Sequence, residues 1–226
     1  MPTARSTILR GVLTLLASVL ALKVTAAVVL GYVNYFPANF DSDFLRGRDG
    51  YFFGPYQWAF YAHIAVGPFT LVAGLTLMSE RLRRWRPRWY RVLGRTQVAC
   101  ILLLLTPSGL WMAFYAATGT IATASFVTLS LATAACAAFG WKTAVQRRFA
   151  VHREWMWRTF LLLCSAVVLR IMGGFATVAA IDAPWYDPVA SWACWVLPLA
   201  VFEAVRFKRS TTKRPVRSSV AVLTSR

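Results

Sequence analysis

A chain of 226 residues with 58% hydrophobic and only 15% charged side chains falls outside the soluble range, where about a quarter of residues are charged. Its net charge of +17 invites a nucleic-acid reading. That reading is set aside because the basic residues sit in short stretches flanking long apolar runs, which is how membrane topology is written.

The apolar runs are long enough to cross a bilayer. A helix needs roughly 20 apolar residues to span the ~30 Å hydrocarbon core, and without water every backbone group must bond within the span. The first run covers Ile8 to Val33. Arg5 and Arg10 at its start, then an apolar stretch and Thr25-Ala26-Ala27, resemble a signal peptide. The run continues through Val28, Val29 and Leu30, so a retained first helix is expected. Residues 34–56 read as a loop rich in Asn, Asp, Gly and aromatics.

The second span is expected over Gln57 to Met78, followed by a dense basic segment from Arg81 to Arg95 broken at Pro87. The third runs from Val98 to Ala117, with Pro107-Ser108-Gly109 interrupting it near mid-membrane. Thr118-Gly119-Thr120 turns the chain into a fourth span, Ile121 to Trp141. A second basic segment, Lys142 to Arg158, leads to a fifth span from Thr159 to Ile181. The acidic turn at Asp182 to Pro188 precedes a sixth, Val189 to Arg206. Residues 1–207 thus read as one membrane domain, and 208–226 as a basic, Ser/Thr-rich, disordered tail.

The charges test this layout. Of the 25 Lys and Arg residues, 21 fall on the side holding the termini and the two basic segments, and only Arg46 and Arg48 lie opposite. Asp41, Asp43, Asp49, Asp182 and Asp187 join them there. The positive-inside rule then makes the basic side cytoplasmic, with anionic lipid its natural contact. Trp85, Trp89, Trp141, Trp155, Trp157 and Trp185 stand at span ends, as an aromatic belt requires. The expected fold is an all-α bundle of six transmembrane helices with both termini cytoplasmic, in a bacterial inner membrane. The oligomeric state is not legible.

Ionisable residues inside a membrane are costly and mark candidate sites. Lys23, His63, Arg170 and Glu203 are those within the spans. From the ~1.5 Å rise per residue, His63 lies roughly 9 Å, Lys23 roughly 15 Å and Arg170 roughly 16 Å below the outer ends of their spans. Glu203 lies about 5 Å from the inner end. Arg170 has no carboxylate at its own depth. It is either a fastener bonded to carbonyls of neighbouring helices or part of a ligand pocket with His63 and Ser108 between spans two, three and five. His63, Gly67 and Gly74 share one face of span two, and Gly173 and Gly174 follow Arg170, so close helix packing is a competing explanation.

Metal and cofactor chemistry find little purchase. Cys100, Cys136, Cys164 and Cys194 each fall in an apolar run without a C-x-x-C pair, and read as small hydrophobes. The two histidines, His63 and His152, should lie roughly 20 Å or more apart, which disfavours bis-histidine haem. A catalytic zinc needs three. No metal and no cofactor are expected.

Several motifs occur in order: His63 to Pro68 (H-x-x-x-G-P), Tyr90 to Arg95, Pro107 to Ala113 (P-S-G-L-W-M-A), His152 to Arg158 (H-R-x-W-M-x-R) and Val168-Leu169-Arg170. Together, over about residues 57–203, they resemble a bacterial family of predicted integral membrane proteins catalogued as a domain of unknown function. The family usually carries histidine where Tyr90 stands, in H-R-x-L-G-R, and a Pro-Asn pair where this chain has Trp195 to Pro198. The family's pair of histidines implies a metal or proton site, which here would be Tyr90 with His152, the tyrosine weakening the metal. Arg91, Arg95, Arg153 and Arg158 flank those two at the basic face and Glu203 lies near that depth, so a polar cluster is expected in which Glu203 pairs with one of the arginines. The leading functional expectation is a membrane protein that binds or moves a small anionic or lipid-like molecule. The alternatives are an oxidoreductase subunit handling quinone or haem, and a structural partner of a membrane complex.

Overall fold

The computed structural model describes residues 4–42 and 44–212. Among them the chain is helical, with no strand beyond an isolated bridge between Tyr35 and Ala38. Six segments are long and apolar enough to cross a membrane: Gly11–Asn34, Pro55–Leu77, Pro87–Ala113, Thr120–Val145, Phe149–Val178 and Tyr186–Lys208.

The first span is α1 (Ala4–Leu30), extended by a 3-10 turn. A short α2 (Asp49–Phe52) precedes α3 (Pro55–Leu77), the second span. The α3 helix starts where Gly54 adopts φ +122° and Pro55 follows, since proline suits the first helical turn and lacks a donor that would be orphaned there anyway. A short α4 (Glu80–Trp85) leads into α5 (Pro87–Cys100). The third span then widens into a π segment, Ile101–Leu105, before α6 (Thr106–Ala113). Gly119, at φ +85°, makes the turn into α7 (Thr120–Val145). The fifth span is α8 (Phe149–Leu163) and α9 (Ser165–Val178), interrupted at Cys164. The last is α10 (Tyr186–Thr212).

The spans differ from expectation mainly at the basic face. The third begins at Pro87 rather than Val98, and the fifth at Phe149 rather than Thr159. The arginine-rich motifs therefore ride on helix ends rather than in loops. Arginine is a good helix former, and its long stem lets the guanidinium reach the interface from a helix near the membrane edge. The α10 helix likewise runs on past Arg206 to Thr212. The remainder of the expected tail lies outside the described residues.

Packing is strongest between consecutive helices. Helix α7 packs on α8, α6 and α10, and α3 on α5, α6, the π segment and α8. By contrast α1 touches only α3, α9 and its own 3-10 extension. Its Ile8, Leu13, Leu15 and Leu16 are all exposed. A continuous apolar surface of this kind is a contact surface, and here the contact is lipid. A central cluster of Leu71, Ile101, Ala137, Leu163 and Val167 joins spans two to five. A second, of Cys136, Leu162, Cys194 and Trp195, joins spans four to six.

Residues 34–56 form more than a loop. Leu45, Phe52, Tyr56 and Phe60 are buried together, with Tyr35, Phe40 and Tyr115 against them. Edge-to-face contacts link Tyr35 to Phe60 and Phe52 to Phe60, the geometry that aromatic quadrupoles favour. Arg48 fastens this cap. It donates to Phe44 O at 2.6 Å, Tyr51 Oη at 2.9 Å and Tyr115 O at 3.0 Å, and its guanidinium lies 4.7 Å from the Phe44 ring centroid. The segment thus closes the aspartate-bearing end of the bundle with an aromatic lid pinned to the end of span three.

Candidate ligand site in the membrane bundle

The site begins with Pro107. Proline has no N–H, and its ring crowds the carbonyl four residues earlier. The chain relieves this with a π turn, in which Thr106 N–H bonds to Ile101 O. Such single-turn π segments loosen the backbone ladder and expose carbonyls. Ser108 takes up two of them, its hydroxyl lying 2.6 Å from Leu104 O and 3.1 Å from Leu105 O.

That bond fixes the state of His63. Its Nδ1 stands 3.2 Å from Ser108 Oγ. A serine hydroxyl has one hydrogen, which is committed to the carbonyls. At His63 the hydroxyl can then only accept, so Nδ1 is the donor of this contact.

His63, which Ser108 holds from behind, borders a cavity of about 540 Å³, within the ~300–1,000 Å³ range of small-molecule pockets. Its wall is mostly apolar, including Ile64, Leu71, Met112 and Leu129, with His63, Thr106, Ser130 and Arg170 among its polar members. The expected enclosure by spans two, three and five is incomplete. Spans one, four and six also contribute, through Tyr32, Thr133 and Ser191 for example, and Arg48 and Tyr56 of the aromatic lid close one end. Thr106 Oγ1 is buried there without a hydrogen-bond partner. Buried polar groups are nearly always satisfied, and this hydroxyl is an exception packed behind the cavity wall.

Arg170 is not a fastener between helices. Its hydrogen bond goes to Ala166 O of its own helix at 3.1 Å, and among the described residues no carboxylate lies within ion-pair distance of it. The other arginine of the cavity, Arg48, is spent on the lid. Lys23 is exposed on α1 and lies outside the cavity wall.

The glycines divide into two sets. A methyl at Gly67, Gly173 or Gly174 would meet nothing within 4 Å, so these do not serve close helix packing; Gly67 and Gly173 line the cavity. At Gly109 a methyl would stand 3.0 Å from Ser130 Oγ and 3.3 Å from His63 Cε1. Here the missing side chain lets the imidazole approach.

At the basic face the structure brings together only part of the expected cluster. Arg158 Nε lies 2.6 Å from Glu203 Oε1. Arg206 bridges Glu203 at 3.0 Å and Glu154 at 3.1 Å. The Arg158 guanidinium also stacks 4.6 Å from the Trp155 ring. His152 turns away from this group, its Nδ1 lying 2.8 Å from Gly140 O, where it closes the α7–α8 corner. Tyr90, Arg91 and Arg95 stand on α5, which has no Cα within 8 Å of α8. The hydrogen bond of His152 goes to Gly140 O and not to Tyr90. Arg91, Arg95 and Arg153 are exposed and without an ion pair among the described residues. No group of three metal-ligating side chains occurs among the described residues.

Sequence reasoning passed over three residues. Gln97 is buried, donating to Thr70 O at 2.9 Å with Oε1 unpartnered; beginning the third span at Val98 had put it outside the membrane. Arg48 and Asp187, assigned to connecting loops, both line the cavity. An arginine amid a run of aromatics was the available signal for the first.

The model of a family described as predicted membrane protein, DUF2306, matches residues 60–205. No curated protein and no solved structure matches the chain.

Proposed function

The chain belongs to the DUF2306 family of predicted membrane proteins, and we propose that its cavity binds a small amphipathic anion, such as a carboxylate with an apolar tail. The carrying observation is Arg170, a permanently charged group on the wall of an apolar cavity with no carboxylate partner among the described residues. A charge in such a setting needs an offset, and an anionic headgroup supplies one. His63 and Ser130 of the wall add polar contacts, while the apolar wall takes the tail. The loosely packed α1 offers an entry route from the lipid.

The test uses the full chain in phosphatidylcholine nanodiscs, titrated calorimetrically with dodecanoate and with dodecanol, empty nanodiscs serving as the blank. Saturable heat is expected with dodecanoate alone. Gly67→Leu should remove it without loss of folding, because the added side chain grows into open cavity. Equal heats from the acid and the alcohol, or full binding by Gly67→Leu, would reject this reading.

The orientation completes the proposal. The termini and basic helix ends face the cytoplasm of a bacterium, and the aromatic lid faces the other side of the inner membrane. Reporter fusions after Arg95 and Arg153 should read cytoplasmic, and one at Asp43 external. A cytoplasmic signal at Asp43 would invert the topology.

A further inference from the structure

The cavity holds a second uncommitted charge. Asp187 lies in the first turn of α10 and lines the same cavity as Arg170. Among the described residues its carboxylate has neither an ion pair nor a hydrogen bond. It does not pair with Arg170, although α9 and α10 are neighbours. Tyr186 Oη donates to Met172 O at 2.7 Å, tying the start of α10 to α9 just beyond Arg170. Both side chains are exposed rather than packed away, and two opposite charges left unpaired on the wall of one cavity suit a molecule that bridges them.

We propose that the ligand is a zwitterion, its acidic group on Arg170 and its ammonium on Asp187, with an apolar substituent along the wall. This rests on the anion-binding reading above and narrows it. A free hydrophobic α-amino acid and a phosphoethanolamine lipid headgroup share that chemistry. Arg170 supplies a planar fork matched to a carboxylate or phosphate. Asp187, as an acceptor-only carboxylate, suits an ammonium with its three donors.

The experiment compares dodecanoate with 2-aminododecanoate, which differ only by the ammonium, in the same nanodiscs. At least ten-fold tighter binding of the amino acid is expected. Asp187→Asn should erase that preference while dodecanoate binding stays, and Arg170→Leu should weaken both. Displacement of 2-aminododecanoate by L-leucine would point to free amino acids, and by lysophosphatidylethanolamine to the headgroup. Equal affinity for the two acids, an unchanged preference in Asp187→Asn, or displacement by neither competitor overturns the zwitterion while leaving the anion site standing. Failure of both acids to bind overturns the anion site itself.

Discussion

Arg170→Leu should still insert and fold, yet bind dodecanoate about a hundred-fold more weakly. The two halves of this expectation have separate causes. Arg170 makes no bond to another helix; its contact is Ala166 O, one turn earlier on α9. Removing it leaves no partner stranded. Leucine is favoured at a helix centre, whereas arginine costs ~2.5–3.5 kcal/mol on insertion scales, so insertion should improve. Binding, in contrast, loses a hydrogen bond to a charged group, worth about 1.5–3 kcal/mol. At 1.4 kcal/mol per factor of ten, the upper part of that range corresponds to about a hundred-fold. Arg170→Lys keeps the charge but not the planar fork, and should fall between the two. Yield in membranes, monodispersity in detergent and dodecanoate affinity, measured on all three proteins, separate the alternatives. A leucine variant that aggregates would make Arg170 structural, and one that binds normally would remove it from the site.

The parts of this protein legible in the sequence are those set by lipid. Six apolar runs became six helices because backbone groups in hydrocarbon have no other way to be satisfied. The ends were harder to read. Hydropathy falls at Arg95 and Arg158, but the helices continue through them, since a long basic side chain near the interface can reach outward while its backbone stays helical. The pocket was partly legible for a related reason. His63, Ser108 and Arg170 stood out as polar residues in apolar runs, and all three border or buttress one cavity. What escaped was everything set by contacts between distant segments. Nothing local distinguishes Arg48, which pins a lid to Tyr115 O, from a surface arginine. Nothing local says that Gly67 faces a void while Gly74, two turns along the same helix, faces a wall. The pairing of Glu203 with Arg158 rather than with Arg91 or Arg95 likewise depends on α10 crossing α8, which no spacing encodes.

The α3 helix therefore provides a comparison in which one substitution at two positions should act with opposite sign. Gly67→Ala adds a methyl into open space and relieves the helix-propensity penalty of glycine, about 1 kcal/mol; it should raise thermal stability. Gly74→Ala gains the same propensity but places the methyl 2.9 Å from both Gln97 Nε2 and Phe160 Cδ2. Neither neighbour can yield freely. Gln97 is held by Thr70 O at 2.9 Å, and Phe160 packs against the cluster of Leu71, Ile101 and Leu163. Overpacking of this kind costs about 1–3 kcal/mol, which outweighs the propensity gain over most of that range. Gly74→Ala should therefore lower the midpoint of thermal unfolding in detergent, followed by tryptophan fluorescence, and Gly67→Ala should raise it. Adding Gln97→Ala to Gly74→Ala should recover part of the loss, because one of the two clashes disappears while the ring remains. The non-additivity of that pair, read in a double-mutant cycle, measures their contact directly. Additive effects, or a Gly74→Ala protein as stable as Gly67→Ala, would mean that spans two, three and five do not close on one another at this point.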